Sequence, residues 1–191
     1  MQHHHFILHK PYGYLSQLIN NQNKRRNKKL LGELYDFPKG TMAIGRLDET
    51  SEGLLLLTTN GKVSEYIRSS KVEKEYYVLV DGMIDAPAIE KLKKGVIISV
   101  NGTSYTTKPC TIITSPVLTN YPIQERKIRD ARHGPTSWIS ITITEGKFRQ
   151  IRKMTASVGF PTLRLVRVRI GAIKLKAGIG EVQEVTNFND Q

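Results

Sequence analysis

Gly45-Arg46-Leu47-Asp48, continued by Glu49-Thr50-Ser51-Glu52-Gly53 and the apolar run Leu54-Leu55-Leu56-Leu57-Thr58-Thr59, decides how the rest of the chain is read. A strand-like approach meets a polar turn that holds an aspartate, and a strand with a buried look follows. One carboxylate thus stands at an element boundary, the kind of loop on a rigid scaffold where reactive groups are held. Taken alone, the spacing favours a plainer role for Asp48, since Asp, Thr and Ser all cap turns. The company this stretch keeps changes that balance.

Upstream, residues 6–10 read as a first strand, halted by Pro11 and Gly13. His3, His4 and His5 point in different directions on any element and read as a solvated leader rather than a metal site. Residues 20–29 are polar and basic with no apolar period, a surface loop suited to phosphates. Leu30, Leu31, Leu34 and Phe37 recur at helical spacing up to Pro38, which predicts a short helix. Residues 42–47 and 54–59 are then strands on either side of the Asp48 turn.

Downstream, 62–69 reads as a helix and 75–80 as a strongly β-prone strand. Asp85, Pro87 and Gly95 bracket a helix with both ends signalled. A hairpin follows through Asn101-Gly102, then a strand over 110–114. Three prolines make 115–135 a long irregular connection. Residues 137–144 alternate as a half-buried strand, with Trp138 set against isoleucines. A helix is expected over 148–158, then strands over 163–170, 172–175 and 181–185. Strands outnumber helices, so the expectation is one α+β domain over 1–191, possibly two-lobed about Asp48, with a largely antiparallel mixed sheet and flanking helices.

Composition bounds the function. Twenty-nine Lys and Arg against 17 Asp and Glu leave +12, a surface that attracts a polyanion. Charge names the partner class, nucleic acid, but not the task. No apolar run approaches the ~20 residues of a membrane span, and no long basic amphipathic helix suits a membrane surface. The single cysteine, Cys110, excludes an internal disulfide and a zinc knuckle and fits a reducing cytoplasm.

Helical periodicity puts Phe148, Ile151, Met154, Thr155 and Val158 on an apolar stripe, with Arg149, Arg152 and Lys153 opposite. Arg152, near the boundary, is the arginine placed to turn inward and pair with a carboxylate, keeping it ionised and nucleophilic. Arg149 and Lys153 read as a solvated face, with phosphate contact as an extra. Along 163–170, period two puts Leu163, Leu165, Arg167 and Arg169 on one face. That suits an apolar pocket rimmed by phosphate-binding groups, and a solvated edge strand fits almost as well.

Three ordered motifs then carry a resemblance: Gly45-Arg46-Leu47-Asp48 with Ser51-Glu52-Gly53-Leu54-Leu55, Lys74-Glu75-Tyr76-Tyr77-Val78, and Glu145-Gly146-Lys147-Phe148-Arg149-Gln150-Ile151-Arg152-Lys153-Met154. Together they resemble the ribosomal-RNA pseudouridine synthases of the RsuA/RluB/RluE type. Residues 122–127, 135–138 and 158–165 look most like the large-subunit pseudouridine synthase E branch, and the expectation is a chain without the S4-type domain many relatives carry. The resemblance implies the pseudouridine synthase catalytic fold with a central RNA-binding cleft. It also implies uridine-to-pseudouridine isomerisation at one position in large-subunit (23S) ribosomal RNA, on a flipped-out nucleotide, with no metal and no cofactor. By position it implies Asp48 as the catalytic aspartate, Tyr76 as the active-site tyrosine, Arg152 as the aspartate's basic partner and Leu165 as a pocket wall. Gly45, Arg46 and Leu47 complete the first motif, with Arg46 against RNA. Ribosomal RNA or its precursor particle is the expected partner, and monomer is the default.

Two other readings compete. A non-catalytic RNA-binding or ribosome-assembly protein fits the charge equally well but has no need of Asp48, Tyr76 and Arg152 together. A hydrolase with paired carboxylates, Asp48 with Glu49 or Glu52, leaves the basic surface without a purpose.

Overall fold

The computed structural model describes residues 3–19, 27–69 and 71–188. In chain order the strands and helices are β1 (His5–Lys10), β2 (Tyr14–Leu15), β3 (Lys29–Leu30), β4 (Met42–Ala43), β5 (Glu52–Thr58), α1 (Gly61–Arg68), β6 (Lys74–Asp81) and α2 (Ala86–Lys94). Then follow β7 (Ile97–Val100), β8 (Thr103–Thr106), β9 (Thr111–Thr114), β10 (Thr136–Ile143), α3 (Gln150–Ser157), β11 (Thr162–Ile170), β12 (Ile173–Lys174) and β13 (Val182–Val185). The main sheet runs β13-β1-β5-β11-β6-β10-β9. Its pairings are antiparallel except β5 with β11, so the expected mixed, mostly antiparallel α+β architecture is what forms.

The apolar pattern explains why. Leu54 to Leu57 of β5 are fully buried because both faces of the strand are covered: Leu54 and Leu56 face one core cluster, Leu55 and Leu57 another with Phe6 and Leu8 of β1. In β6, Val78 and Val80 join Ile139 and Ile141 of β10, and Met154 and Ile151 of α3 close that cluster from above. Trp138 points to the opposite face, as alternation requires. β5 follows the Asp48 turn through Gly53, whose φ is +102° and where a Cβ would sit 2.3 Å from the Arg167 carbonyl oxygen. Only glycine allows β5 and β11 to approach so closely there.

Several expectations need correction. The helix over 30–37 is one 3₁₀ turn, Leu31–Glu33. The strand over 42–47 is only Met42–Ala43, and the chain reaches Asp48 without regular structure. The solvated leader is His3 alone: His5 is buried in β1 with Nδ1 2.9 Å from Thr58 Oγ1, and His4 is half-buried with Nδ1 2.6 Å from a Glu184 carboxylate oxygen. β11 lies between β5 and β6, not at an edge, and its pairing with β6 shifts register between Thr162 and Arg164 and between Arg167 and Arg169. Most of the basic 20–29 stretch lies outside the described residues; Lys28, at its end, reaches both Glu49 carboxylate oxygens. Among the described residues no helix is long and apolar enough to cross a membrane, and no cluster of three or more His, Cys, Asp or Glu would hold a metal ion.

Candidate active site

The turn that carries Asp48 is braced from every side before any side chain reaches into it. Ser16 Oγ donates to the Leu47 carbonyl at 2.8 Å and accepts from the Leu47 N–H at 3.0 Å. The Gly13 N–H donates to the Glu49 carbonyl at 2.8 Å, and the Ser51 N–H to that of Asp48 at 3.0 Å. Lys10, with no exposed surface, ends β1 by aiming Nζ at the carbonyls of Ser51 (2.7 Å), Pro11 (3.1 Å) and Glu49 (3.5 Å). From α3, Arg152 Nη2 donates to the Thr50 carbonyl at 3.1 Å and to Ser51 Oγ at 3.2 Å. A loop without regular structure is thereby rigid where the carboxylate sits.

Burial pushes the Lys10 ammonium down to about 8, only partly opposed by the charges of Glu52 and Asp48. The unfolded chain keeps that proton up to about 10.4. Between the two values the folded state binds fewer protons, so stability rises with pH. Lys74 is also pushed down to about 8 by burial, with Arg167 adding. A comparison with Lys10→Met isolates Lys10, because Lys74 is common to both. The Tm advantage of the wild type over Lys10→Met should grow as pH climbs from about 8 to about 10. A difference flat with pH would remove Lys10 from this role.

A cavity of about 70 Å³ opens beside the braced turn, lined by Arg46, Leu47, Asp48, Tyr76, Arg149 and Leu165 among others. β6 supplies Tyr76 and β11 supplies Leu165, both buried in the same cluster as Leu47. Six residues singled out from the sequence therefore converge. Arg152 closes the Asp48 side from behind.

The arginines divide the work differently from the expectation. Arg149, read as solvated, places Nη1 3.1 Å from Asp48 Oδ2. Arg152 Nε is 3.7 Å from the same oxygen, a charge contact rather than a hydrogen bond, and that buried nitrogen has no hydrogen-bond partner. Burial, with repulsion from Arg149 adding, moves the Arg152 guanidinium below its ordinary value, while Asp48 and Tyr12 oppose the shift. The cause of the rearrangement is local: Arg149 adopts φ 53°, ψ 34°, so α3 begins at Gln150 and not at 148. Gln150 holds that shape, accepting from the Lys147 N–H at 2.9 Å and donating to buried Glu145 at 2.6 Å. Glu145 and Gln150 are site-shaping residues that motif reading passed over; a buried Glu and Gln flanking Gly146-Lys147 are the signal that marked them.

Further assignments change. Arg167 is buried, with Nε donating to the Leu54 carbonyl at 2.7 Å, and it sits inside the sheet rather than on a phosphate-binding rim. Lys153 lies outside the cavity lining and donates to the Ser99 carbonyl at 2.6 Å. Phe148, expected on the apolar stripe, is exposed. Glu49 pairs with Lys28, and Glu52 is buried against Arg164. Neither carboxylate joins Asp48 in the cavity, which removes the paired-carboxylate arrangement.

The cavity is far smaller than the ~300 Å³ at which ligand clefts begin. An aromatic ring exceeds that space, so its entry calls for a wall that can move. Arg149, on the open side and 40% exposed, is the wall with somewhere to go.

Comparison with known proteins meets the same chemistry. The family model described as RNA pseudouridylate synthase matches residues 4–157. The protein named ribosomal large subunit pseudouridine synthase E from Xanthomonas campestris pv. campestris is 40% identical over 171 residues, covering 88% of each chain. Its namesake from Vibrio parahaemolyticus serotype O3:K6 is 40% identical over 173 residues, 88% of this chain and 68% of that one. Among solved structures, a crystal structure of a pseudouridylate synthase superposes with a TM-score of 0.74 at 25% identity, covering 96% of this chain and 70% of the other.

Proposed function

This chain belongs to the RNA pseudouridylate synthase family, in its RsuA/RluB/RluE type, and from that premise we propose that it isomerises uridine to pseudouridine in large-subunit ribosomal RNA with Asp48 acting on the ribose. The carrying observation is the convergence of Asp48, Tyr76, Leu165 and Arg149 on one cavity. The target uridine leaves its stack, at a cost of a few kcal/mol, and enters as Arg149 withdraws toward a backbone phosphate. The +12 charge supplies the sequence-independent attraction that offsets this cost.

Arg152, held on the far side by Thr50 and Ser51, remains as the positive charge beside the Asp48 carboxylate. Its partnerless Nε is placed to complete a hydrogen bond once Arg149 has left. Asp48 attacks C1′ or removes the 2′ proton, and the N1–C1′ bond breaks. Uracil rotates against Leu165 and Leu47, and C5 bonds to C1′ as the Asp48 ester breaks or, on the glycal route, as C2′ takes its proton back from Asp48. Tyr76 flanks the base and helps transfer the C5 proton, which ends on solvent while N1 regains one. No oxidation state changes, and the reaction calls for no metal or redox cofactor. The protein acts as a monomeric, cytoplasmic catalytic unit on naked or assembling ribosomal RNA.

The test is large-subunit ribosomal RNA transcribed with tritium at uridine C5. Near-stoichiometric tritium release, about one per RNA, is expected for one modified site. Tight binding with no release, on naked RNA and on precursor particles alike, would leave an RNA-binding protein on the same fold.

A further inference from the structure

Two exposed aromatic rings adjoin, along the chain, residues that bear on the Asp48 turn, and Tyr12 also acts electrostatically on Arg152. Phe148 is 65% exposed and Tyr12 is 46% exposed. Each lies beneath a cation: Lys153 Nζ is 5.3 Å from the Phe148 centroid, and Arg126 Cζ is 4.0 Å from that of Tyr12. One exposed ring is ordinary on any surface. These two share an address as well as an exposure. Phe148 immediately precedes Arg149, which meets Asp48. Tyr12 immediately precedes Gly13, whose N–H is bonded to the Glu49 carbonyl of the same turn.

The backbone conformations that present the rings are specified, not incidental. The left-handed Arg149 turns Phe148 out of the helix stripe, while Gln150 and Glu145 lock the turn behind it. Arg126 comes from the long 115–135 connection and is fixed over Tyr12 by its contact with Glu52 at 3.3 Å. The cavity is lined by other residues, so the rings are placed beside the target nucleotide's site and not within it.

A ring with a cation over one face and solvent beyond is what single-stranded nucleic acid uses. Any unpaired base can stack on the ring, and the cation serves the adjacent phosphate. A base inside a continuous duplex has no free face to offer. We infer that Tyr12 and Phe148 are stacking platforms for two unpaired nucleobases flanking the target uridine. The substrate is then a uridine in a loop or bulge whose neighbours are also unstacked, with purines favoured for their larger face. This specificity rests on the uridine-isomerising reading of the Asp48 cleft.

The test begins with tritium release from transcribed large-subunit ribosomal RNA to locate the uridine. It continues with a hairpin cut around that uridine, intact or with an abasic residue at either neighbour. Affinity is measured on an Asp48→Asn background so that the hairpin stays unreacted. Tyr12→Leu and Phe148→Leu keep apolar bulk and remove the π face; each should bind the intact hairpin about tenfold more weakly. That loss should vanish against the hairpin abasic at the matching neighbour, and Tyr12→Phe or Phe148→Trp should restore the affinity. Leucine variants that bind every hairpin as the parent does, or that lose the same factor on intact and abasic hairpins, overturn the stacking assignment. Failure of the wild type to release tritium strikes instead at the isomerase reading, so the two failures are distinct.

Discussion

Asp48→Asn should release tritium from C5-labelled ribosomal RNA at least about 10³-fold more slowly than the wild type, while its affinity for that RNA changes less than about threefold. A rate loss of that size is about 4 kcal/mol of transition-state stabilisation. The substitution is close to isosteric. The amide oxygen still accepts from Arg149, and the brace formed by Ser16, Lys10 and Arg152 acts on backbone atoms and Ser51 that do not change. What disappears is the negative charge needed to attack C1′ or to take the 2′ proton. Binding is spared for a separate reason: phosphate contacts dominate RNA affinity, and Arg149 has less to hold it away from a phosphate once its anion is gone. Equal losses of affinity and rate would show that Asp48 shapes the RNA surface rather than acting on the nucleotide.

The parts of this site that were legible in the sequence are those where local chemistry and tertiary context agree. Asp48 with its apolar strand, Tyr76 on a β-prone run and α2 between Asp85 and Gly95 all follow their local signals; Asp85 Oδ1 caps the Ala88 N–H at 2.8 Å. The failures are local: a single backbone angle, or the covering of a face by a neighbouring element, decides what periodicity does not. Helical periodicity counted from 148 sends Phe148 inward and Arg149 outward. Once Arg149 turns left-handed, the counting starts two residues later and both assignments invert. In β11 period two holds, with Val166, Val168 and Ile170 on one face and Leu165 and Arg167 on the other; Arg167 is buried because β11 is a central strand covered on both faces. At 30–37 helical spacing is present, but Gly32 packs against the Leu18 carbonyl, where a Cβ would approach to 2.6 Å.

Glu52 shows how far a carboxylate's neighbourhood decides its role, and its removal carries the largest stability effect expected here. It stands in the first motif, four residues after Asp48, yet it is 4% exposed and locked to Arg164 by two parallel bonds, Nε to Oε2 and Nη2 to Oε1, each 2.9 Å. Arg126 adds a second cation at 3.3 Å, and Arg164 continues to the Gln124 carbonyl at 2.9 Å. One buried fork thus joins the strand leaving the catalytic turn to β11 and to the 115–135 connection. Neutralising Glu52 alone strands a buried guanidinium, so Glu52→Leu should cost about 3–5 kcal/mol. For a chain of this length that lowers Tm by roughly 6–20 °C. In Glu52→Leu/Arg164→Met the stranded guanidinium is gone and Arg126, partly exposed, can turn to water, while Lys10 loses a compensating charge but keeps its carbonyl partners. The double variant should therefore recover much of the loss, as buried pairs replaced by apolar groups of similar volume often do. Its activity should not return with its stability: without Glu52, Arg126 is no longer held over Tyr12, and the connection that carries it loses its anchor beside the cleft. Thermal melts of the two variants, read beside their tritium release, separate these effects. A single variant as stable as the wild type would mean that the fork is solvated in the working protein and that the 115–135 connection is held by its apolar contacts alone.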